Sequence, residues 1–230
     1  MKTAMILCAG LGIRMRPLTN TLPKPLIKVA GKTMLDRAFE HLKVIDISHI
    51  VVNAHYLSPQ IVDQVKERGI VSHEDDLLET GGGVHHALPL LGNKPFFVLN
   101  GDCIWTGSES LKYMEQVWDE DKMEALLLVI PREKAHGYNG AGDFFMSPDG
   151  HLSRRGEAPE APYVFIGIQI LNPDLFRGET EGPYSLNVIY NKALEKGRLY
   201  GVVHHGEWFH IGTPEDLRKY DPMVAEIEKS

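Results

Sequence analysis

The segment from Leu7 to Pro25 constrains this chain more than any other, because it joins a glycine-bearing turn to basic residues held among prolines. The apolar run that enters it, from Ala4 to Leu7, is typical of a buried strand. Gly10 and Gly12 allow the following backbone to turn its amide N–H groups outward, where they can bind an anion. We therefore predict a phosphate site at this turn.

Basic side chains strengthen the prediction of a phosphate site. Arg14 can donate paired hydrogen bonds to phosphate oxygens, and Lys24, which lies between two prolines, adds a positive charge. Two familiar motifs are excluded, since no Gly-Lys-Ser/Thr follows the turn and Met15 stands where a dinucleotide fingerprint has its third glycine. The alternative is an ordinary strand-to-helix turn with solvated cations.

The composition favours a one-domain protein that binds small molecules. The 230 residues suit a single domain with a full hydrophobic core, and the net charge is −7 without a basic block that would bind nucleic acid or an anionic membrane. The longest apolar run, Ala125–Ile130, is too short to span a bilayer, and no signal sequence precedes the first strand. Two cysteines make no disulfide framework, so we expect a cytoplasmic protein.

Short apolar runs alternate with amphipathic segments along most of the chain. This alternation predicts an α/β fold in which a doubly wound, mostly parallel sheet carries helices on both faces. From about residue 137 to residue 162 the pattern breaks into glycines, prolines and charges, which indicates a small β-rich inserted lobe. The predicted strands are Ala4–Leu7, Ile50–Asn53, Ile70–Ser72, Phe96–Leu99, Ala125–Ile130, Phe144–Met146, His151–Ser153, Tyr163–Leu171 and Leu199–His204.

Several predicted helices begin at capping signals. Thr33 with Asp36 resembles a capping box, and Thr213 is followed by proline at the first helical position. The other predicted helices begin near Ser58 and near Asn172, or run over Val84–Leu91 and Leu186–Glu195.

Polar residues follow the predicted strand Phe96–Leu99, at the sheet edge where open parallel sheets collect their ligands. Asp102 places a carboxylate there, and Mg²⁺ bridges such carboxylates to substrate phosphates. The alternative is a turn aspartate that caps its own backbone. Because Arg14 and Lys24 predict phosphate nearby, we favour a magnesium site.

Three glycines follow Glu79 and Thr80, immediately before the helix predicted over Val84–Leu91. Their small size leaves room for a flat nucleobase, and their amides with the Thr80 hydroxyl can contact its polar edge. A glycine-rich loop that merely opens the helix is the alternative.

Four segments, in this order, resemble the signature of the sugar-phosphate nucleotidyltransferases: the turn with Arg14 and Lys24, Leu78–Gly83, Asn100–Asp102 and Trp208–Thr213. The resemblance spans almost the entire chain. Members of this family join a nucleoside triphosphate to a sugar 1-phosphate and release pyrophosphate. The resemblance therefore implies a Rossmann-like fold of the nucleotide-diphospho-sugar transferase type, one domain over residues 1–230 without the C-terminal β-helix of some relatives, and a monomer or homodimer.

The resemblance also implies roles for individual residues. Arg14, Lys24 and Asp102 form the expected catalytic set. The nucleotide is expected at Leu7, Ala9, Gly10, Gly12, Arg14, Glu79, Thr80, Gly81 and Gly82, and the sugar phosphate at Gly142, Asp143, Gly167 and Asn187. Many relatives carry a Glu-Lys-Pro whose lysine binds the sugar phosphate, and this sequence has none. Arg154 or Arg155 can supply that charge, with Arg155 the choice for the site, although a solvated basic pair is equally consistent.

One position departs from the family's pattern. Relatives usually have an aspartate in Trp-x-Asp-x-Gly-Thr that shares the metal with the earlier aspartate, and His210 stands there in this chain. Mg²⁺ binds imidazole poorly. Either Asp102 holds Mg²⁺ with substrate oxygens and water, or His210 also ligates a softer ion such as Mn²⁺ or Co²⁺.

Within the family, the Glu-Thr-Gly-Gly-Gly form and the short chain most resemble uridylyltransferases that act on N-acetylmuramate 1-phosphate in cell-wall recycling. UTP and that sugar phosphate are therefore the expected substrates. Mannose or heptose 1-phosphate guanylyltransferases are the alternative. A third possibility is an enzyme that uses a thymidine or cytidine triphosphate with another sugar 1-phosphate. A regulatory relative that binds a nucleotide sugar without catalysis is the alternative from another class.

Overall fold

The computed structural model describes residues 1–229, which form one nine-stranded sheet, two small sheets and six α-helices. The strands are β1 Thr3–Leu7, β2 Lys28–Val29, β3 Lys32–Thr33, β4 His49–Ala54, β5 Ile70–His73, β6 Phe96–Asn100, β7 Ile104–Trp105, β8 Ala125–Pro131, β9 Ala135–His136, β10 Phe144–Met146, β11 Leu152–Arg154, β12 Tyr163–Leu171, β13 Leu199–Val203 and β14 Trp208–Phe209. The α-helices are α1 Met34–Leu42, α2 Ser58–Val65, α3 Glu79–Leu91, α4 Glu109–Val117, α5 Asn187–Glu195 and α6 Pro214–Ile227. Short 3₁₀ helices cover Ile13–Met15, Leu18–Asn20, Lys24–Leu26, Lys66–Arg68, Arg132–Lys134 and Pro173–Phe176.

The large sheet has a central strand order of β5-β4-β1-β6-β12-β8-β13. β1 pairs in parallel with β4 and β6, and β4 pairs in parallel with β5. β12 is antiparallel to both β6 and β8, and β13 is parallel to β8. β8 and β13 therefore run in the same direction as β1. Since β12 alone among these seven strands runs the other way, the predicted mostly parallel α/β fold is confirmed.

Both faces of the sheet are covered by helices, because successive strand residues point to opposite sides. Ala4 and Ile6 of β1 lie in one core cluster with Phe39 of α1, and α2 and α4 join the same side. Met5 lies in a second cluster with Val84 of α3, and α5 completes that layer. The sheet is therefore doubly wound, as the alternation predicts.

A third core cluster joins the N-terminal turn to the end of the chain. Met15 of the first 3₁₀ helix is fully buried with Phe209 of β14 and Tyr220 of α6. The helix α6 begins at a capping box, in which Thr213 Oγ1 accepts a hydrogen bond from the backbone of Asp216 and the Asp216 carboxylate accepts one from the Thr213 backbone. This packing brings the predicted phosphate turn close to the motif that contains His210.

The start of α3 differs from the expectation. α3 begins at Glu79 and not at Val84, so the three glycines lie inside the helix and do not form a loop before it. The segment 137–162 contains the hairpin β10–β11, which extends the large sheet at the start of β12. None of the helices within residues 1–229 combines the length and apolar character needed to cross a bilayer.

Candidate functional site

A cleft of about 610 Å³ opens at the carboxyl ends of β1, β4 and β6, where the sheet geometry places ligand sites. The predicted phosphate turn, the residue pair Lys24 and Asp102, and the start of α3 all contribute to its wall. The lining residues are Leu7, Cys8, Ala9, Gly10, Leu11, Gly12, Ile13, Arg14, Met15, Lys24, Pro25, Asn53, Leu77, Glu79, Thr80, Asn100, Asp102, Ser185 and Gly212.

The turn after β1 is fixed by Gly12 and open at Gly10. Gly12 has a φ of +60°, and its carbonyl oxygen accepts hydrogen bonds from Met15 N at 2.9 Å and Thr19 Oγ1 at 2.8 Å. A Cβ at Gly10 would meet nothing within 4 Å, so this backbone is accessible from the cleft. The turn therefore has the rigidity and the open face that an anion site needs.

Arg14 lies beside the C-terminal motif. A Cβ added to Gly212 would lie 3.3 Å from Arg14 Nη1 and 3.0 Å from His210 Nε2, so both side chains pack across the Gly212 backbone. The guanidinium makes no hydrogen bond or ion pair within residues 1–229. Its donors are therefore available to an anion in the cleft.

Lys24 and Asp102 form an ion pair in the cleft wall. Lys24 Nζ lies 2.6 Å from Asp102 Oδ2, with the lysine side chain 12% exposed and the aspartate side chain 38% exposed. Burial opposes ionisation of Asp102, but the ammonium of Lys24 and the nearby His210 hold its pKa below the ordinary value. The carboxylate is therefore ionised at neutral pH.

His210 is close enough to the ion pair to respond to its charges. Burial and the positive charges of Lys24 and Arg14 lower the pKa of its imidazole, against the opposing effect of Asp102. The ring is therefore neutral at pH 7, which is the form that can ligate a metal.

The donor chemistry of the cleft fits a hard cation that arrives with its substrate. Asp102 offers one ionised carboxylate, and Mg²⁺ commonly takes one or two carboxylates, substrate phosphates and water. Within residues 1–229, no group of three or more His, Cys, Asp and Glu side chains is arranged to hold a metal ion. The predicted pair of Asp102 and His210 is therefore an incomplete ligand set without phosphate oxygens.

A buried polar pair, which the sequence reasoning missed, supports the cleft from below. Asn53 at the end of β4 accepts a hydrogen bond from Cys8 N at 2.7 Å and donates one to Glu74 Oε1 at 2.6 Å. The other oxygen of Glu74 accepts from Leu78 N at 3.2 Å. Asn53 and Glu74 are 2% and 1% exposed. The pair links the phosphate turn to the start of α3. The only signal in the sequence was that Asn53 ends one predicted strand and Glu74 closely follows another.

The glycines of α3 make close contacts within the protein. The amides of Gly81 and Gly82 donate to the carbonyl oxygen of Tyr184 at 2.8 and 3.0 Å, and a Cβ at Gly82 would lie 2.1 Å from the carbonyl oxygen of Gly182. These amides are therefore occupied within the protein, and Gly81 and Gly82 do not line the cleft. The glycines allow the segment 182–184 to approach the helix, and the contact of Gly81 and Gly82 with a nucleotide stays a prediction.

Gly101 also has a structural reason to be glycine. A Cβ there would lie 2.5 Å from Cys8 Sγ and 2.8 Å from the carbonyl oxygen of Leu7. The end of β1 therefore approaches the Gly101 backbone closely. It holds the loop containing Asp102 beside the phosphate turn.

Two of the predicted sugar-site residues hold the inserted segment in place. Gly142 has a φ of +82°, and a Cβ there would lie 2.0 Å from the carbonyl oxygen of Ala161. Asp143 accepts a hydrogen bond from Phe165 N at 2.9 Å. Both interactions anchor the segment against β12 and its surroundings.

Gly167 lies directly behind the cleft. Its φ is +84°, and a Cβ there would lie 2.6 Å from Nδ2 of Asn100, which lines the cleft. The register of β12 against β8 shifts between Phe165 and Gln169, so Gly167 occupies a bulge.

Arg154 contacts the predicted sugar-site residue Asn187, and Arg155 does not. Arg154 Nη2 donates to Asn187 Oδ1 at 2.9 Å, and its guanidinium lies 4.9 Å from the centre of the Phe144 ring. Arg155 instead donates to the carbonyl oxygen of Ala158 at 2.7 Å. None of the five predicted sugar-site residues lines the 610 Å³ cleft, so their contact with a sugar stays a prediction.

Comparison of the fold defines its class. HddC from Yersinia pseudotuberculosis, solved in complex with GMP-PN, superposes with a TM-score of 0.77 at 23% identity, over 99% of this chain and 100% of that chain. A model of the family described as "MobA-like NTP transferase domain" matches residues 4–157. This chain therefore belongs to the NTP transferase family.

The sequence of this chain is also similar to two curated relatives. The chain is 35% identical to N-acetylmuramate alpha-1-phosphate uridylyltransferase of Caulobacter vibrioides, over 98% of both sequences. It is 31% identical to the mannose-1-phosphate guanylyltransferase catalytic subunit beta of Danio rerio, over 93% of this chain and 62% of that protein. The resemblance to sugar-phosphate nucleotidyltransferases read from the motifs is therefore confirmed.

Proposed function

We propose that this protein transfers a nucleoside monophosphate from a nucleoside triphosphate to a sugar 1-phosphate and releases pyrophosphate, with UTP and N-acetylmuramate 1-phosphate as substrates. The observation that carries this proposal is the cleft in which the open phosphate turn, Arg14 and the Lys24–Asp102 pair meet. The 35% sequence identity to the Caulobacter uridylyltransferase, over 98% of both sequences, supports the choice of substrates.

The chemistry requires positioning and charge more than proton transfer. A sugar 1-phosphate is already ionised, so its oxygen can attack the α-phosphorus in line without a general base. The turn at Gly10 and Gly12 orients the triphosphate, while Arg14 and Lys24 stabilise the charge that develops on the phosphates. A divalent cation held by Asp102 would add to the neutralisation of that charge.

Arg14→Ala is the direct test of this assignment. We expect at least about a 100-fold loss of pyrophosphate release, because one preorganised charge is removed, with an unchanged melting temperature. Arg16→Ala is the matched control, since this exposed arginine lies two residues away and does not line the cleft. Near-normal turnover of Arg14→Ala would contradict the assignment.

We assign Mg²⁺ as the working cation, with Asp102 as its protein ligand and His210 as a second ligand for Mn²⁺ or Co²⁺. The neutral imidazole of His210 near Asp102 supports this role. Replacing His210 with Asp should shift the metal preference toward Mg²⁺. Equal rates and equal metal dependence in the wild type and in His210→Asp would show that His210 is not a metal ligand.

A guanylyltransferase that uses mannose or heptose 1-phosphate is the second candidate, favoured by the 31% identity to the Danio rerio protein. Four triphosphates assayed against several sugar 1-phosphates, with pyrophosphate release as the readout, separate the candidates. The proposal expects the highest kcat/KM for UTP with N-acetylmuramate 1-phosphate. Nucleotide binding without pyrophosphate release from any pair would favour a regulatory protein.

The remaining biological context belongs to the same proposal. We place this enzyme in the cytoplasm and in cell-wall recycling, as one nucleotidyltransferase domain in which residues 137–162 form the sugar-side lobe. It acts as a monomer or homodimer without nucleic acid or membrane partners. Size measurement by light scattering during chromatography tests the oligomeric state.

A further inference from the structure

A single peptide unit at the start of the phosphate turn is held from both sides. Cys8 N donates to Asn53 Oδ1 at 2.7 Å, and the carbonyl oxygen of Leu7, in the same planar peptide, accepts from Gly101 N at 2.9 Å. Asn53 belongs to β4 and Gly101 follows β6, so the two partners come from the strands on either side of β1. The orientation of this peptide therefore sets the direction in which the turn leaves β1.

The same peptide connects the turn to the loop that carries Asp102. Gly101 directly precedes Asp102, and its hydrogen bond to Leu7 fixes where that loop lies. A rotation of the Leu7–Cys8 peptide would therefore move the amides of the turn and the Asp102 carboxylate relative to each other. Both groups line the cleft.

Asn53 is itself held by Glu74. Asn53 Nδ2 donates to Glu74 Oε1 at 2.6 Å, while the other oxygen of Glu74 accepts from Leu78 N at 3.2 Å, immediately before α3. The backbone of Glu74 is tied to the end of β4, because Glu74 N donates to the carbonyl oxygen of Ala54 at 2.9 Å. The carboxylate is therefore fixed in position, and it determines which way the Asn53 amide faces.

Gly83 allows α3 to lie directly over this pair. A Cβ at Gly83 would lie 2.6 Å from Glu74 Oε1 and 2.8 Å from Asn53 Nδ2. Glycine inside a helix is less favourable than alanine by about 1 kcal/mol, and the close approach to two polar atoms accounts for its presence here. The packing leaves the pair little room to rearrange.

We infer that Asn53 and Glu74 are positioning residues for nucleotidyl transfer, because they fix the Leu7–Cys8 peptide and so hold the phosphate turn and Asp102 in the relative geometry that the reaction needs. This inference rests on the proposed function, since it assumes that the cleft performs that transfer. In-line attack is sensitive to a displacement of about 1 Å, which costs about 100-fold in rate. Binding is less sensitive, because the triphosphate can follow the turn that holds it.

The pattern of donors and acceptors provides the test. In Glu74→Gln, two side-chain amides stand between the N–H groups of Cys8 and Leu78, and however these amides are turned, one donor faces another donor. In Asn53→Asp, two carboxylate oxygens face each other instead. Each single variant should lower kcat for pyrophosphate release by about tenfold to a hundredfold, with the KM for UTP changed less than about threefold. A raised KM with normal kcat would overturn the inference.

The double variant Asn53→Asp with Glu74→Gln restores the complementarity. The carboxylate at position 53 accepts from Cys8 N and from the new amide at position 74, whose oxygen accepts from Leu78 N. We expect kcat to return to within about threefold of the wild type. A folded double variant no faster than the single variants would overturn the inference.

Gly83→Ala tests the pair without changing any of its hydrogen-bonding groups, and so covers the case in which the exchanged variants do not fold. Its methyl group presses on both side chains, and the preference of alanine for a helix offsets part of the lost stability. We expect a loss in kcat of about tenfold. A wild-type kcat in Gly83→Ala would overturn the role of the pair.

A merely structural role would lower stability and leave kcat unchanged. Arg37→Met is the matched control, because it breaks the ion pair of the buried Arg37 with Glu228, outside the cleft. It should lower the melting temperature and leave kcat, measured well below that temperature, within about twofold of the wild type. The same pattern in Glu74→Gln and Asn53→Asp would overturn the inference.

Hydrogen exchange separates failure of this inference from failure of the proposed function. The amides of residues 8–12 should exchange at least about tenfold faster in Glu74→Gln than in the wild type and slow again in the double variant. Unchanged exchange in Glu74→Gln overturns the role of the pair, even where the wild type releases pyrophosphate. The expected exchange pattern in a wild type that releases no pyrophosphate refutes only the reaction.

Discussion

Replacing Lys24 with Met removes the ion pair in the cleft wall and so tests its contribution. Methionine preserves most of the aliphatic volume of lysine and removes the ammonium that lies 2.6 Å from Asp102 Oδ2. The carboxylate then remains in the wall without its cation. We expect the variant to fold, to lose stability and to lose most of its turnover.

The size of the stability loss follows from the partial burial of the pair. Breaking a buried pair costs about 3–5 kcal/mol, and an exposed pair contributes about 0–1 kcal/mol. With Lys24 12% exposed and Asp102 38% exposed, we expect an intermediate loss of about 1–3 kcal/mol. In a protein of this size, that loss lowers the melting temperature by about 2–12 °C.

A double-mutant cycle measures the pair itself. Urea unfolding of the wild type, Lys24→Met, Asp102→Asn and the double variant gives the coupling energy, which should also be about 1–3 kcal/mol. Lys32→Met provides the matched control, since Lys32 and Glu40 form a pair at 2.9 Å with both side chains about half exposed. That control should lose less than about 1 kcal/mol.

The pH dependence follows from the lowered pKa of Asp102. A carboxyl whose folded pKa lies below its unfolded value stabilises the protein fully above the unfolded value of about 3.9 and loses that contribution as the pH falls through the folded pKa. The difference between wild type and Lys24→Met should therefore be constant from pH 5 to pH 7 and shrink in acid. A coupling energy below about 0.3 kcal/mol, or a difference that stays constant at pH 2, would refute this reasoning.

Three further substitutions test other parts of the structure. Gly142→Ala should lower the free energy of unfolding by at least about 2 kcal/mol, because its φ is +82° and a carbonyl oxygen lies 2.0 Å from the new Cβ. Gly178→Ala is the control, with a φ of +81° and no atom within 4 Å of the new Cβ, and it should lose less stability. Equal losses in urea titrations of the two variants would contradict the role of steric crowding at Gly142. Gly212→Ala should reduce kcat by about tenfold or more with a melting temperature nearly unchanged, since its Cβ would press on Arg14 at 3.3 Å, and a normal steady-state rate would rule this out. Burial lowers the pKa of His41 to about 4, so the unfolded state takes up its proton first and stability should fall as the pH drops from about 6.5 to 4. His41→Phe should flatten that part of a thermal-unfolding pH profile, and an unaltered slope would contradict the assignment.

Much of the fold could be predicted because each strand carries its own signal. The predicted strand Tyr163–Leu171 has the bounds that the structure shows, and the run at Ala125–Ile130 differs by one residue. The start of α3 could not be predicted, because three glycines disfavour a helix in isolation. Tertiary contacts override that preference, since only glycine lets the backbone near Tyr184 approach α3 so closely.

The part of the site that could be predicted consists of residues in short sequence motifs. Arg14, Lys24 and Asp102 all line one cleft, although no sequence pattern indicated that Lys24 and Asp102 would pair with each other. The sugar-site residues stay a prediction. Gly142 and Asp143 were assigned by resemblance, and their contacts in the structure are with the inserted segment and β12.

The pair of Asn53 and Glu74 shows why positioning groups escape a motif search. A residue that touches a ligand must match that ligand, so its type and spacing are restricted and can be recognised. Asn53 and Glu74 must match only each other and two backbone amides, Cys8 N and Leu78 N. Other pairs of polar residues satisfy the same donors and acceptors, because a buried hydrogen bond requires complementarity and not a particular residue type. The geometry of such a network becomes visible only when the strands that carry it are assembled.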